Sequence, residues 1–275
     1  MEENFLNSGR NRIINVISNQ NDASQNTAKL LIEKLTSRGF YVPDNYDINA
    51  ELNICIGGDG AFLRTVHKFG FPNIPFVGIN TGHLGFFQEI LPENIDEFIE
   101  KYINRDYTVE KIFLVKANVY TRDKYFQILG VNEIVIKGIK SKVVHLEVFI
   151  NGNHLEKFSG DGIIVATPAG STAYNFSSGG SIIYPSIKAL QITPLSPINS
   201  RVYRSLLNSI IIPGDIAITI EPEYLYENSI LIMVDGVELK YDNISRINFS
   251  IADKTISRLN FDKNRYWNNL KSKFL

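Results

Sequence analysis

The sequence predicts an N-terminal α/β domain built on a parallel sheet, followed by a β-rich C-terminal domain, α+β over the whole chain. Three observations predict this. Over residues 1–106, apolar strand-like runs alternate with helical spacing, the rhythm of a parallel α/β sheet. From residue 107 to 251, most of the chain reads as strands, several of them separated by turn residues, as in an all-β unit. The length of 275 residues, 44% hydrophobic and 21% charged, suits two packed cores rather than a disordered chain.

The elements follow in order. Residues 13–18 form a short buried strand. Asp22 or Ser24 offers an N-cap for a helix through Ala28, Leu31, Ile32 and Leu35, and Gly39 stops it. Residues 52–56 are apolar, too short for a helix and followed by two glycines. A helix is expected over 61–69, ended by Gly70 and Pro72, then a strand over 76–79 and a helix over 95–102. The second part reads as strands at 111–120, 132–136, 143–150, 162–166, 210–212, 216–220 and 230–234. Turns are signalled by Asn151-Gly152-Asn153, Pro213-Gly214-Asp215 and Asp235-Gly236. The tail carries Trp267, Leu270 and Phe274 among Lys and Asn, which predicts that it docks.

Composition narrows the function. Net charge is −1 with no Lys/Arg block, which argues against a nucleic-acid surface. A single cysteine, Cys55, excludes an internal disulfide framework and fits a reducing compartment. Residues 1–12 are polar and lack the apolar core of a signal peptide, and no apolar run reaches membrane-span length. The cytoplasm is the expected location, with no membrane and no nucleic-acid partner.

Four clusters carry chemistry. Gly57-Gly58-Asp59-Gly60 lies between a buried strand and a helix start. Glycines there allow close approach of a ligand, and free helical N–H groups suit phosphate oxygens. Asp59 is then a general base, a metal contact or an N-cap. The run Gly78-Ile79-Asn80-Thr81-Gly82-His83-Leu84-Gly85-Phe86-Phe87 also follows a strand, and Phe86 offers a flat apolar face to an adenine or nicotinamide ring. Asn132-Glu133 opens a strand; an Asn amide both donates and accepts, as an adenine edge requires, and Glu133 suits a ribose hydroxyl. Taken alone, such a pair is more often a turn residue and a solvated carboxylate. Residues 159–180 are a strand followed by a long stretch of small residues containing Tyr174. Such a stretch has little core to bury, so its amides and hydroxyls are expected to bind a ligand, with Tyr174 stacking on a base and Asp161 taking a hydroxyl or a positive nicotinamide ring.

Other chemistries lack their signatures. No Gly-x-x-x-x-Gly-Lys-[Ser/Thr] and no Gly-x-Gly-x-x-Gly after the first strand is present, and the four histidines form no zinc pattern.

Together these clusters resemble the NAD kinase family, of the bacterial type using ATP or polyphosphate. The resemblance runs from about Ile13 to the C-terminus, and Thr167-Pro168-Ala169-Gly170-Ser171-Thr172-Ala173-Tyr174 is its most specific stretch. Gly-Gly-Asp-Gly alone is shared with phosphofructokinases and diacylglycerol-type lipid kinases. The resemblance implies transfer of the terminal phosphoryl group of ATP, or polyphosphate, to the 2′-hydroxyl of the adenosine ribose of NAD, giving NADP. It implies that NAD lies between the domains and that the tail, residues 252–275, returns to the first. Asp59 is implied as the catalytic residue. The implied NAD contacts are Asp59, Gly60, Phe86, Asn132, Glu133, Asp161, Thr172, Ala173, Tyr174, Ser177, Ser196 and Asn199. Gly57, Gly58, Gly60 and Arg64 are implied as ATP-phosphate contacts. Mg²⁺ or another divalent cation would arrive with ATP rather than sit in a protein cage. A homodimer or homotetramer is also implied. Ser159 departs from the family, where a basic residue is frequent two positions before Asp161, and Pro197 alters the run Leu195-Ser196-Pro197-Ile198-Asn199-Ser200-Arg201. Two alternatives stand beside this reading: a non-catalytic dinucleotide-binding sensor, and a diacylglycerol-type lipid kinase.

Overall fold

Parallel strands buried on both faces read as unbroken apolar runs. The computed structural model, which describes residues 12–83, 85–199, 204–223 and 230–275, builds such a sheet from the first part of the chain. Residues 1–11, Leu84, Ser200 and Arg201, which enter the readings above, lie outside the described residues. The chain divides into two units, Met1–Lys111 with Ile256–Leu275, and Ile112–Thr255.

The first unit begins β1 (Arg12–Ser18), α1 (Asp22–Ser37), β2 (Phe40–Tyr41), β3 (Leu52–Gly57), α2 (Asp59–Lys68), β4 (Phe76–Asn80) and α3 (Ile95–Ile103). Its strands run parallel in the order β2-β1-β3-β4, with Val16 opposite Ile54 and Ile54 opposite Val77. Every residue of β3 and β4 is buried. Leu31 and Leu35 of α1 and Phe98 and Ile99 of α3 pack with Ile54, Ile56, Val77 and Ile79. Each such side chain contributes about 1.5–3 kcal/mol by leaving water. Two helix starts differ from expectation. The cap of α1 is Asn21, whose side chain accepts the Ser24 N–H at 2.8 Å. Ser24 is instead buried, its hydroxyl 2.7 Å from that of Thr81. The second helix starts at Asp59 rather than residue 61, capped by the backbone of Gly58.

The second unit holds the antiparallel part. Its strands are β5 (Thr108–Thr121, beginning in the first unit), β6 (Tyr125–Gly130), β7 (Glu133–Gly138), β8 (Val144–Ile150), β9 (Asn153–Gly160) and β10 (Gly162–Ala166). A single helical turn, α4 (Tyr174–Ser177), precedes β11 (Ala189–Leu195), β12 (Ile210–Pro213), β13 (Ile218–Pro222), β14 (Ile230–Val234) and β15 (Val237–Leu239). The last strand, β16 (Ile244–Asn260), leads back into the first unit, where α5 (Arg265–Phe274) ends the chain. One sheet runs β12-β11-β10-β7-β14-β15, and β16, β13, β8 and β9 pair in a second. Alternate residues of both, among them Ile134, Ile136, Ile163, Leu146, Val148 and Ile220, share one core, as the period of two requires. Val135, Ile164 and Ala166 face the other way. The strands β6, β9, β11, β15 and β16 fall outside the sequence reading. In β11, Gln191 and Thr193 interrupt the apolar pattern yet are buried, because both are hydrogen-bonded inside.

Candidate active site

In the first unit the site grows from the end of β3. Gly57 has φ +152°, and a Cβ there would lie 2.6 Å from the Cβ of Ala61, so the turn into α2 admits only glycine. Gly58 provides the helix cap without a side chain. Asp59 therefore is not the N-cap. Its carboxylate turns to the segment after β4: Oδ2 accepts the Phe86 N–H and Oδ1 the Phe87 N–H, both at 2.9 Å. A Cβ on Gly85 would stand 2.2 Å from Asp59 Oδ1, so the backbone of that segment lies directly on the carboxylate.

Nearby groups are held as tightly. Gln88 donates to the Gly58 carbonyl at 2.9 Å and occupies the space beside Gly78. Asn80 Oδ1 accepts the Gly82 N–H at 3.0 Å, and the Thr81 N–H reaches the Gly57 carbonyl at 3.2 Å. Arg64, one turn beyond Gly60, donates to Asn19 Oδ1 at 2.8 Å and lines a cavity of about 380 Å³ with Ser18, Gln20 and Lys68. Phe86 meets the rings of Tyr266 and Phe274, and the Lys273 ammonium lies 5.0 Å from its ring centre.

Sequence reasoning missed what backs this segment. Arg258 donates to the Phe86 carbonyl and pairs with Glu110. Arg265 donates to the carbonyls of Gln88 and Glu89, and Asn269 to that of Gly85 at 2.8 Å. Glu89 Oε1 accepts the N–H groups of Phe261 and Asp262, and burial pushes its carboxyl up from the usual range. The only sequence signal was the spacing of Arg265 and Asn269, four residues apart on one helical face.

In the second unit, Asn132 and Glu133 open β7 and are buried, not solvated. Their backbone is fixed by Asp235, whose carboxylate accepts the N–H of Val131 and Asn132 at 2.7 Å and of Glu133 at 3.2 Å. Asp235 was read only as part of a hairpin turn. It is that, between β14 and β15 with Gly236 at φ +85°, and it is also the cap of β7. Asn132 Oδ1 and Glu133 Oε2 are buried without a hydrogen-bond partner among the described residues. Buried polar atoms are normally paired, so both are open to a ligand. Burial, with the Asp235 charge second, lifts the Glu133 carboxyl to about 8. In its protonated form the carboxyl can donate a hydrogen bond as well as accept one.

The small-residue stretch is anchored beneath. Thr167 bonds the Val131 carbonyl through its hydroxyl at 2.7 Å and the Asn132 carbonyl through its N–H at 2.8 Å. Gly170 presses on Asn132, since a Cβ would stand 2.0 Å from that carbonyl oxygen. Asn175 is buried and bonded to Thr193 at 2.6 Å and Gln191 at 3.2 Å. Thr172 is buried with its hydroxyl near the Ala169 carbonyl, Ala173 is half-buried, and the Ser177 hydroxyl is used locally by the Tyr174 carbonyl at 3.0 Å. Tyr174 is exposed and shares a cavity of about 390 Å³ with Asp161, Ser196, Lys137 and Lys140. Asn199 is exposed beyond β11. Ser159 is fully buried, its hydroxyl 2.8 Å from His145 Nδ1. Among the described residues, Lys137 of β7 and Lys140 of the turn after it line the same cavity as Asp161.

Among the described residues, no group of three or more His, Cys, Asp or Glu is placed to hold a metal ion. No helix among them is long and apolar enough to cross a membrane.

Known proteins resemble this chain in sequence and in fold. Residues 14–107 match the ATP-NAD kinase N-terminal domain and residues 131–257 the ATP-NAD kinase C-terminal domain. The chain is similar to the NAD kinase of Finegoldia magna, 49% identical over 96% of this chain and 98% of that one. It is also similar to the NAD kinase of Leuconostoc mesenteroides, 32% identical over 95% of this chain and 98% of that one. Its fold is like that of yeast NADH kinase complexed with NADH, with a TM-score of 0.85 at 20% identity over 96% of this chain and 88% of that one. An NAD kinase from Archaeoglobus fulgidus in complex with ATP aligns with a TM-score of 0.77 at 22% identity, over 95% of this chain and 98% of that one.

Proposed function

The chain belongs to the NAD kinase family, and from that premise we propose how its residues divide the reaction. The reaction is phosphoryl transfer from ATP to the 2′-hydroxyl of the adenosine ribose of NAD, giving NADP. Neither a lipid kinase nor a dinucleotide sensor is favoured by the family match. The observation that carries the division is the Asp59 carboxylate, held at the head of α2 by two backbone amides.

Asp59 accepts a hydrogen bond from the 2′-hydroxyl and takes its proton late. A carboxylate is a far weaker base than an alkoxide. Ground-state deprotonation is therefore negligible, and Asp59 acts in the transition state, chiefly by orienting the hydroxyl in line with the phosphorus. Gly57, Gly58 and Gly60 offer amides at a helix start to donor phosphate oxygens, and Arg64 adds a cation there. The divalent cation, Mg²⁺ or another, enters as part of the ATP substrate.

On NAD, Asn132 and Glu133 take the adenosine, Asp161 a further polar group, and Tyr174 a ring. The unpaired buried atoms of Asn132 and Glu133 support this. Gly60, Phe86, Thr172, Ala173, Ser177, Ser196 and Asn199 complete the assignment. The donor is ATP, or alternatively polyphosphate. The functional domains are residues 1–106 with the tail 252–275, and residues 107–251. The protein works in the cytoplasm, consistent with the lone buried Cys55. It works as a homodimer or homotetramer, for which exposed Leu206, Leu207 and Ile211 supply apolar surface.

The test is NADP formation by the purified protein with NAD, Mg²⁺ and either ATP or polyphosphate, read through an NADP-specific dehydrogenase, beside Asp59→Asn. The expected result is NADP from the native protein and a loss of most turnover in the variant, while NAD still binds by calorimetry. Full turnover in Asp59→Asn would remove Asp59 from its role.

A further inference from the structure

The C-terminal helix does more than close the first unit. Ten residues are too few to hold a helix alone in water, and α5 has no side-chain cap at its start. It stands by what it touches. An amphipathic tail docks most cheaply through apolar contacts, and Phe274 against Phe86 is one. Yet the most buried residue of α5 is Asn269, 6% exposed, and its amide is given to the carbonyl of Gly85 at 2.8 Å. One turn earlier, Arg265 is drawn in, its charge disfavoured by burial, to donate to the carbonyls of Gln88 and Glu89. Buried polar groups carry a desolvation cost and must be matched, so the pair serves specificity of placement rather than adhesion.

What they place is the frame around Asp59. The segment 85–89 presents carbonyls to α5 and amides to Asp59: the N–H of Phe86 and of Phe87 each reach a carboxylate oxygen at 2.9 Å. Gly85, held by Asn269, lies so close to the carboxylate that a methyl group would not fit. A displacement of this backbone moves Asp59 directly.

We infer that Asn269 and Arg265 are positioning residues for phosphoryl transfer, acting through the backbone of residues 85–89 to fix the orientation of the Asp59 carboxylate. The inference rests on the role given to Asp59 above. Positioning losses appear in kcat rather than KM, and misplacement by an ångström costs on the order of 10- to 100-fold.

The experiment is a double-mutant cycle in the full chain. Asn269→Leu keeps the branching of the side chain, with more bulk, and removes the donor. The expected result is a kcat lowered about tenfold or more with the KM for NAD changed less than about twofold. In the Asp59→Asn background, read under single-turnover conditions, the same change should have no further effect. An equal loss in both backgrounds, an unchanged kcat, or a rise in KM alone would overturn the inference. Full turnover in Asp59→Asn by itself would instead overturn the reading of Asp59, and the inference with it. If thermal unfolding shows that Asn269→Leu does not fold, Asn269→Gln and Arg265→Lys replace it in the same cycle. Each retains a donor at altered reach, and the same pattern is required of them.

Discussion

The carboxylate of Asp235 accepts the backbone N–H of Asn132 at 2.7 Å, so the hairpin between β14 and β15 fixes the head of β7 from 103 residues away in sequence. The same carboxylate also takes the N–H of Val131 and of Glu133. Replacing Asp235 with Ala leaves three amides at the head of a buried strand without their acceptor. The expected cost is about 1–3 kcal/mol in urea unfolding. Because Asn132 and Glu133 lose their anchor, the KM for NAD should rise roughly tenfold while the KM for ATP holds. Steady-state kinetics in both substrates separates this from general loss of folded protein.

Glu133 makes stability depend on pH. Its carboxyl is lifted from the ordinary 4.5 to about 8, first by burial and then by Asp235. Below 4.5 both folded and unfolded chains hold the proton. Between 4.5 and 8 the unfolded chain has released it and the folded chain has not, so the unfolded state binds fewer protons and stability falls as pH rises. Glu133→Gln removes this liability. Urea unfolding should find the variant more stable than the native protein at pH 8, by on the order of several kcal/mol, with the difference closing toward pH 4.5. A constant difference across that window would show that Glu133 is ionised in the fold. NAD affinity should weaken above pH 8 in the native protein, where the donor is lost, and much less in Glu133→Gln.

Gly170 tests the floor of the same pocket. A Cβ at this position stands 2.0 Å from the Asn132 carbonyl oxygen, and backbone on both sides gives way poorly. Gly170→Ala should lower stability by about 1–3 kcal/mol, the usual range for forced overpacking, and weaken NAD binding measured by calorimetry. Gly152→Ala, at a hairpin turn with open space around it, should leave NAD binding intact although its φ of +77° adds backbone strain.

Much of this was legible from residues alone, and the remainder failed for identifiable reasons. The central strands β3 and β4 announce themselves as apolar runs because both their faces are covered. The turns at Asn151-Gly152 and Asp235-Gly236 are visible because their positive φ angles call for those residues. Strand β11 stayed hidden because Gln191 and Thr193 look like surface residues. Only the loop they hold, through Asn175 and Ser181, makes them core. The partners of Asp59 were out of reach for a different reason. They are the amides of Phe86 and Phe87, and a backbone group leaves no letter in the sequence. The grip of Asn269 on Gly85 spans 184 residues and has the same character.

Arg64 bears on which substrate the first unit handles. Its guanidinium lies near Gly60, where a Cβ would stand 3.2 Å from Nη1, and its other arm is steadied by Asn19 at 2.8 Å. A planar cation fixed by one neutral acceptor keeps its remaining donors for a phosphate, and the adjoining cavity carries Lys68 as well. Arg64→Ala should therefore raise the KM for ATP on the order of tenfold with the KM for NAD unchanged. Arg64→Lys should recover part of the loss, since the charge returns without the fork. Asn19→Ala should act in the same direction and more weakly, because the cation persists but its orientation does not. Initial rates over a matrix of ATP and NAD concentrations decide the matter. A rise confined to the KM for NAD would place Arg64 on the acceptor and leave the donor phosphates to the glycine amides alone.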